Sequence, residues 1–134
     1  ETMPRSVYFG RASTGSPEGL PEFSFILVGW GAGSGEASSP LKALIHTNDS
    51  DKGYGATNRG RHSNAAIDAV IQEALATVDD AKRQDLLAQA TEMAMENVAI
   101  IPTHFQVNTW GARAGLSYIP RTDEYTIAMG AVKE

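Results

Sequence analysis

Two consecutive amphipathic helices are predicted for residues 63–98, which read SNAAIDAVIQEALATVDDAKRQDLLAQATEMAMENV. Apolar residues recur there at the i, i+3 and i+4 spacing of one helix face. They are Ile67, Val70, Ile71, Ala74, Leu75 and Val78 in the first helix, and Leu86, Leu87, Ala90, Met93, Ala94 and Val98 in the second. Ser63 or Asn64 is expected to cap the first helix, and Asp79 the second. Because the link at 77–80 is short, the two helices should pack as an antiparallel hairpin.

Apolar runs on both sides of this hairpin predict strands. Residues 23–28, FSFILV, are bounded by Pro21 and Gly29 and favour a short strand buried on both faces. A second strand is predicted at 99–107, followed by an extended piece at 108–116. The order of these elements indicates an α/β fold with a small mixed sheet flanked by helices. Because the strands are few for 134 residues, the sheet is expected to take further strands from sequence outside this chain.

The remaining segments carry weaker signals. Residues 1–12 hold a short apolar patch that suits a helix or a strand, and 13–21 have the Gly, Pro and Ser content of a surface loop. Ser39 and Pro40 suit the cap and the first position of a short helix. The polar stretch 47–62 is long for a loop in a compact domain, and such loops tend to be functional or disordered. The tail at 117–134 is predicted to be extended and irregular.

Charge and composition exclude several classes of protein. The chain has 11 Lys and Arg against 16 Asp and Glu and no basic stripe, so nucleic acid is not expected as a partner. Without cysteine it can form neither disulfides nor thiolate metal sites. No apolar run approaches the ~20 residues that span a bilayer. The first residues show neither a signal-peptide pattern nor an initiator Met, so the chain is expected to begin inside a longer protein.

The glycine-rich segment 29–36, GWGAGSGE, fits no phosphate-binding or catalytic motif. Neither reading frame gives G-x-G-x-x-G, no Lys follows as in a P-loop, and Ser34 lacks the flanking residues of a nucleophile elbow. The histidines, His46, His62 and His104, have no metal-ligand spacing and are expected at the surface or in hydrogen bonds. The sequence therefore predicts no catalytic constellation, no cofactor and no metal site.

Trp30 is the residue of this segment that could contact a ligand. It would stand at the C-terminal end of the predicted strand, where open α/β sheets bind ligands, and an indole among glycines can stack on a solute. The alternative is a Trp that caps the core. In the polar stretch, Asn58, Arg59, Arg61 and His62 offer donors to a carboxylate or carbonyl group. The alternative there is a solvated surface loop.

The order of the pieces resembles a known family. An apolar run ending in Gly-Trp leads into an acidic glycine-rich loop and a helix. Then come N-x-x-x-[HY]-S-N-x-x-x-D at 58–68, D-x-x-K-R-x-x-L-x-x-Q-A at 79–90, and Ile-Pro at 101–102. In their order and spacing these features resemble the C-terminal part of family 5 solute-binding proteins, which deliver peptides, nickel and related solutes to ABC importers. The resemblance covers nearly the whole chain.

The resemblance implies an architecture and a mechanism. Family members have two lobes that close over a solute by a hinge motion, and the closed form docks on a membrane permease. Residues 1–108 would be part of one ligand-binding lobe of a type II periplasmic-binding-protein-like fold, and 109–134 the return segment toward the other lobe. The parent protein would be periplasmic, with its signal peptide outside this chain. The implied activity is binding without chemistry, so the chain is not expected to be an enzyme.

The resemblance also implies the site residues. They are Trp30, Gly31, Glu36, Asn58, Arg61 and His62. The indole would wall the pocket, the glycines would admit the backbone of a ligand, and the 58–62 loop would lie at the rim. Peptide-binding members often carry an Asp three residues after the Trp, where this chain has Gly33, and Glu36 could reach the same ammonium group. The expected solute is peptide-like or a small polar molecule.

Two other classes of protein remain open on the sequence. A small stand-alone hydrolase or transferase would use Glu36 or His62 as its base, although no paired nucleophile or metal set accompanies them. A structural or interaction module would pack Trp30 inward and leave 47–62 disordered. If the chain is an isolated piece of a receptor, its exposed cleft and hinge surface predicts homodimerisation or strand exchange.

Overall fold

The chain divides into a helical unit, Glu1–Pro102, and a smaller unit, Thr103–Glu134. The computed structural model describes residues 2–121, 123 and 125–133; Glu1, Thr122, Glu124 and Glu134, which belong to the predicted first segment and tail, lie outside the described residues. The elements are α1 (Arg5–Thr14), α2 (Ser38–Pro40) continued by a π-helical turn (Leu41–Ile45), α3 (Ala65–Ala76), α4 (Asp80–Glu96), β1 (Leu116–Tyr118), a 3₁₀ turn (Ala128–Gly130) and β2 (Ala131–Lys133).

The helix pair α3 and α4 forms the packed centre of the first unit, as the sequence predicts. Asn64 caps α3, because its side chain accepts hydrogen bonds from the backbone N–H groups of Ala66 and Ile67. Asp79 caps α4 by accepting one from Lys82 at 2.8 Å. Both predicted caps are therefore confirmed, with Asn64 rather than Ser63 in the first case.

The core lies between these two helices and the turn after α2. Its buried members are Leu41, Ile45, Ile67, Ile71, Ala74, Leu87, Ala90 and Ala94. Small residues dominate the α4 side, which lets the helices approach closely. Two predicted members are wrong, since Val78 is 92% and Val98 66% exposed. Both follow the last residue of a helix, so the helical periodicity no longer sets the direction of their side chains.

The segments before the hairpin differ from their predictions in detail. Residues 5–14 are helical, and α1 extends two residues into the predicted loop at 13–21. The expected cap at Ser39 is wrong, because Ala37 precedes the first turn and Ser39 lies inside it. Pro40 is consequently the third helical residue rather than the first. Its missing N–H still costs nothing there, since the first turn of a helix has no internal partner for it.

The prediction of strands at 23–28 and 99–107 is wrong, and so is the prediction that these segments form part of a sheet. Neither segment has regular structure, and most of their side chains are exposed, with Phe25 at 76%, Leu27 at 65%, Phe105 at 97% and Val107 at 84%. A strand forms only where a neighbour accepts its N–H and C=O groups, and within the described residues neither segment has one. The first lies on α1 instead, where the Tyr8 hydroxyl donates to the Leu27 carbonyl at 2.6 Å.

The second unit holds the small sheet of the protein. β1 and β2 pair antiparallel, with Ser117 opposite Val132. Trp110 packs against the Tyr118 ring at a centroid distance of 5.6 Å and donates from Nε1 to the Thr126 hydroxyl. The chain thus combines helices with a two-stranded sheet, in agreement with the α/β class at a coarse level. The prediction of a mixed sheet is wrong, because the two strands described are antiparallel and lie almost entirely within 117–134, where the sequence predicts an irregular tail.

Candidate functional site

Asn58 organises the long polar loop at 47–62. Its side chain is 5% exposed, and its Nδ2 donates to the carbonyls of His46 (3.0 Å) and His62 (2.7 Å). Its Oδ1 accepts from the backbone N–H of His62 at 3.1 Å. All the polar atoms of this side chain therefore bond to the backbone. The loop is ordered by this residue rather than disordered.

Gly55 lets the loop fold tightly against the turn after α2. It has φ +60°, and a Cβ there would meet the His46 carbonyl and come within 2.7 Å of Asn48 Cα. Its N–H donates to the carbonyl of Lys42 at 2.9 Å. Only glycine combines this conformation with this close approach.

His46 lies beneath the loop in a polar cluster. The ring is 4% exposed and stacks on Tyr54 at 4.2 Å. Because Nδ1 lies 2.7 Å from the Thr47 carbonyl, it carries the proton, which leaves Nε2 to accept from the Gln72 amide at 2.9 Å. The Asp68 carboxylate lies 3.6 Å from Nδ1 and accepts from the Thr47 N–H. This histidine is a structural element that joins the loop to α3.

His62 joins the end of the loop to two other segments. Its Nδ1 donates to the Ile45 carbonyl at 3.1 Å, and its Nε2 lies 3.4 Å from the Asn97 side chain. The ring is half-buried. Of the two ring nitrogens, Nε2 is therefore the one that could face a solute.

Arg59 and Arg61 border a small pocket between this loop and the end of α1. The pocket measures about 180 Å³ and is also lined by Ser13, Thr14 and Asn48. Arg59 donates to the Ser13 hydroxyl at 3.3 Å and lies over the Phe9 ring at 5.1 Å. The Arg61 side chain has no hydrogen-bond or ion-pair partner within the described part of the chain.

Glu36 is held in an ion pair with α4. Arg83 donates to both of its carboxylate oxygens, from Nε at 3.1 Å and from Nη2 at 2.7 Å, and the Ser38 hydroxyl donates to one of them. The Arg83 side chain, followed by the Ser38 hydroxyl, lowers the pKa of Glu36 from 4.5 to about 2. Arg83 also donates to the Ala74 carbonyl at 2.8 Å, so this pair ties the glycine-rich segment to the end of α3.

A wider groove of about 730 Å³ runs along α4 beside this ion pair. It is lined by Gly35 and Ala37 on one side and by Arg83, Leu87 and Thr91 on the other. Its lining combines apolar groups with the Glu36–Arg83 ion pair and also includes the carboxylates of Asp80 and Glu92. That combination suits a small solute with both apolar and polar groups.

Trp30 and Gly31 lie in the exposed segment before Glu36. The indole is 42% exposed and makes no hydrogen bond or aromatic contact with any residue that the structure describes. A Cβ at Gly31 would meet nothing within 4 Å. The expected position of Trp30 at a strand end is wrong, because 23–28 is not a strand. The indole nevertheless faces solvent rather than the core.

The structure brings the predicted residues together in part. Asn58, Arg61 and His62 share one loop and are linked through the Asn58 side chain and backbone. Glu36 belongs to the groove along α4. The main contributor that sequence reasoning missed is Arg83, which lies 47 positions from its partner. Its only sequence signal was the Lys-Arg pair in the motif at 79–90.

The described residues hold no group of three or more His, Cys, Asp or Glu side chains placed to bind a metal ion. Among the helices described, none combines the length and the apolar character needed to cross a membrane. The chain has no match among family models, curated proteins or solved structures.

Proposed function

We propose that this chain is part of the solute-binding component of an ABC importer and binds a peptide-like or small polar solute. The observation that carries the proposal is the indole of Trp30, which is 42% exposed, stands among glycines and makes no hydrogen bond or aromatic contact within the described residues. Exposing a large aromatic side chain leaves apolar area in water, so a ligand that covers it gains binding free energy. The assignment to an ABC importer rests on the order of the sequence motifs, which resembles that of family 5 solute-binding proteins.

Two features favour this function over a structural module. Such a module would pack Trp30 inward and leave 47–62 disordered, whereas the indole is exposed and the loop is held by Asn58. A polar loop that is ordered and still presents arginine side chains to solvent can recognise a solute without rearranging. These features support a binding role.

The ion pair of Glu36 weighs against an enzyme that would use it as a base. With both oxygens engaged and a pKa of about 2, this carboxylate is a poor proton acceptor near neutral pH. We therefore propose no chemical step. In the receptor, Glu36 would hold the groove in shape, and Trp30 and Gly31 would contact the solute beside it.

The two exposed apolar segments support a larger assembly. Segments 23–28 and 99–107 have the composition of buried strands and lack a pairing neighbour in the structure described. In the proposed receptor, residues 1–108 belong to one lobe and 109–134 lead to the other, in the periplasm, with a membrane permease as partner. In isolation the same segments would favour homodimerisation.

A solute screen with tryptophan variants tests the proposal. The full-length protein would be screened by thermal shift against di- to hexapeptides, glutathione and nickel complexes, together with Trp30→Ala and the control Trp110→Phe. Trp110 is matched because its indole is bonded within the second unit. A solute that raises the Tm of the wild type and of the control, and much less that of Trp30→Ala, is expected. If the panel raises the Tm of all three equally, or of none, the proposal is refuted.

A further inference from the structure

The small pocket between α1 and the polar loop carries a local positive charge. Among the residues that the structure describes, Arg59 and Arg61 are the only charged side chains that line it, although the chain as a whole has a net charge of −5. Its other polar lining comes from Ser13, Thr14, Asn48 and Asn58, and the side chain of Asn58 is already bonded to the backbone. A cavity with two cations and no lining carboxylate favours an anion.

Each arginine keeps donors available. Arg59 uses Nε for the Ser13 hydroxyl and packs over the Phe9 ring, so its guanidinium is oriented while its Nη groups have no partner in the structure described. The Ser13 hydroxyl accepts this bond and can still donate its own proton. The first cation is thus fixed in place before any ligand arrives.

The backbone of Arg61 is held in an unusual conformation. Its φ is +56°, the left-handed region that is unfavourable for residues with a Cβ. The N–H of Arg61 donates to the carbonyl of Asn58 at 3.2 Å, and Asn58 is in turn fixed by its three side-chain hydrogen bonds. Strained positions that the surroundings enforce are found at ligand sites. Here the strain sets the direction of a side chain that has no partner of its own.

We propose that this pocket binds a carboxylate group of the solute, so that the solute is a carboxylate-bearing molecule. This inference rests on the proposed function. A planar guanidinium presents paired N–H donors that match the two oxygens of a carboxylate. The volume of about 180 Å³ is well above the ~10–15 Å³ that a single buried water molecule needs. It therefore admits a carboxylate with a short side chain, and the rest of the solute extends outside.

The test compares free and blocked carboxylates in the full-length protein. Calorimetry would measure binding of glycyl dipeptides with a free C-terminus, the same peptides amidated, acetate and inorganic phosphate. Each would be titrated against the wild type, Arg61→Gln, Trp30→Ala and Arg113→Gln. Arg113 is the matched control, an exposed arginine of the second unit whose side chain has no partner among the described residues. Arg61→Gln is expected to weaken binding of the free-acid peptide about tenfold, because one charge-assisted contact is lost. Arg113→Gln should leave it unchanged.

Three outcomes would overturn the proposal. Equal affinity for free and amidated peptides would show that the carboxylate is not recognised. Binding of phosphate alone would assign the pocket to a free inorganic anion instead of a solute. A solute that responds to Trp30→Ala but not to Arg61→Gln would leave the proposed function standing without this pocket. In the reverse case, binding that depends on Arg61 and ignores Trp30→Ala would support the pocket and refute the proposed function.

Discussion

Removing the Asn58 side chain should unfold the polar loop and destabilise the protein. In Asn58→Ala the carbonyl of His46 loses a bond at 3.0 Å, and the carbonyl and N–H of His62 lose bonds at 2.7 and 3.1 Å. The first of these bonds is buried, and the other two are partly buried. A buried backbone group without a partner costs about 1–3 kcal/mol, and a partly hydrated one less, so the expected loss in the free energy of unfolding is about 2–4 kcal/mol.

Urea unfolding followed by circular dichroism measures this loss, and hydrogen exchange locates it. The exchange of the His62 amide should accelerate in Asn58→Ala, because that N–H loses its acceptor. Asn48→Ala is the matched control in the same loop. Its side chain is exposed and makes one hydrogen bond, to the Gly55 carbonyl, which also accepts from the N–H of Asn58. Its expected cost is under about 1 kcal/mol.

Asn58→Asp gives the prediction a pH dependence. The new carboxylate would face the carbonyls of His46 and His62, so its pKa in the folded state should rise above the ordinary value of about 3.9. A raised folded pKa means that, relative to the wild type, the variant is most stable below about pH 3.9 and loses stability as the pH rises through the folded pKa. The reasoning is refuted if Asn58→Ala costs no more than Asn48→Ala and His62 exchange is unchanged.

Two further perturbations test the ion pair and the core. Glu36→Gln should lower the urea midpoint relative to the wild type at pH 6.5. Because the pKa of Glu36 is about 2 in the folded protein and 4.5 ordinarily, the difference between the two midpoints should shrink as the pH falls from 4.5 to 2. A difference at pH 2.5 equal to that at pH 6.5 would contradict the conclusion that Arg83 lowers this pKa. Ile71→Ala should lower the free energy of unfolding by about 2–5 kcal/mol in the same assay, because Ile71 is 0% exposed between α3 and α4. Val78→Ala is the control. Because Val78 is 92% exposed, this change should alter the free energy of unfolding by less than about 0.5 kcal/mol. Comparable losses for those two variants would be evidence against the core described above.

The α3–α4 hairpin could be predicted because its signals are local. The period of apolar residues, the caps Asn64 and Asp79 and the short link all lie within one stretch, and each acts over a few residues. The same logic fails at Val78 and Val98, where the pattern continues past the helix ends. The periodicity of apolar residues indicates which face of a helix is apolar, but it does not indicate at which residue the helix ends.

The candidate site was predictable only as a set of residue types. The sequence marks Asn58 and Glu36 as polar groups near glycines, but their roles depend on partners that are distant along the chain. Glu36 meets Arg83 across 47 positions, and Asn58 bonds the backbone of His46 across 12. No periodicity or spacing encodes such pairs.

The sequence by itself determined the α3–α4 hairpin, its caps Asn64 and Asp79 and the net charge of this protein, because these follow from short-range sterics and composition. Only the tertiary structure decided that Trp30 faces solvent, that Asn58 is buried and that 23–28 and 99–107 remain without a sheet. The physical reason is that a helix satisfies its backbone hydrogen bonds within itself, whereas a strand depends on a neighbour. An apolar segment becomes a strand only where the fold supplies that neighbour.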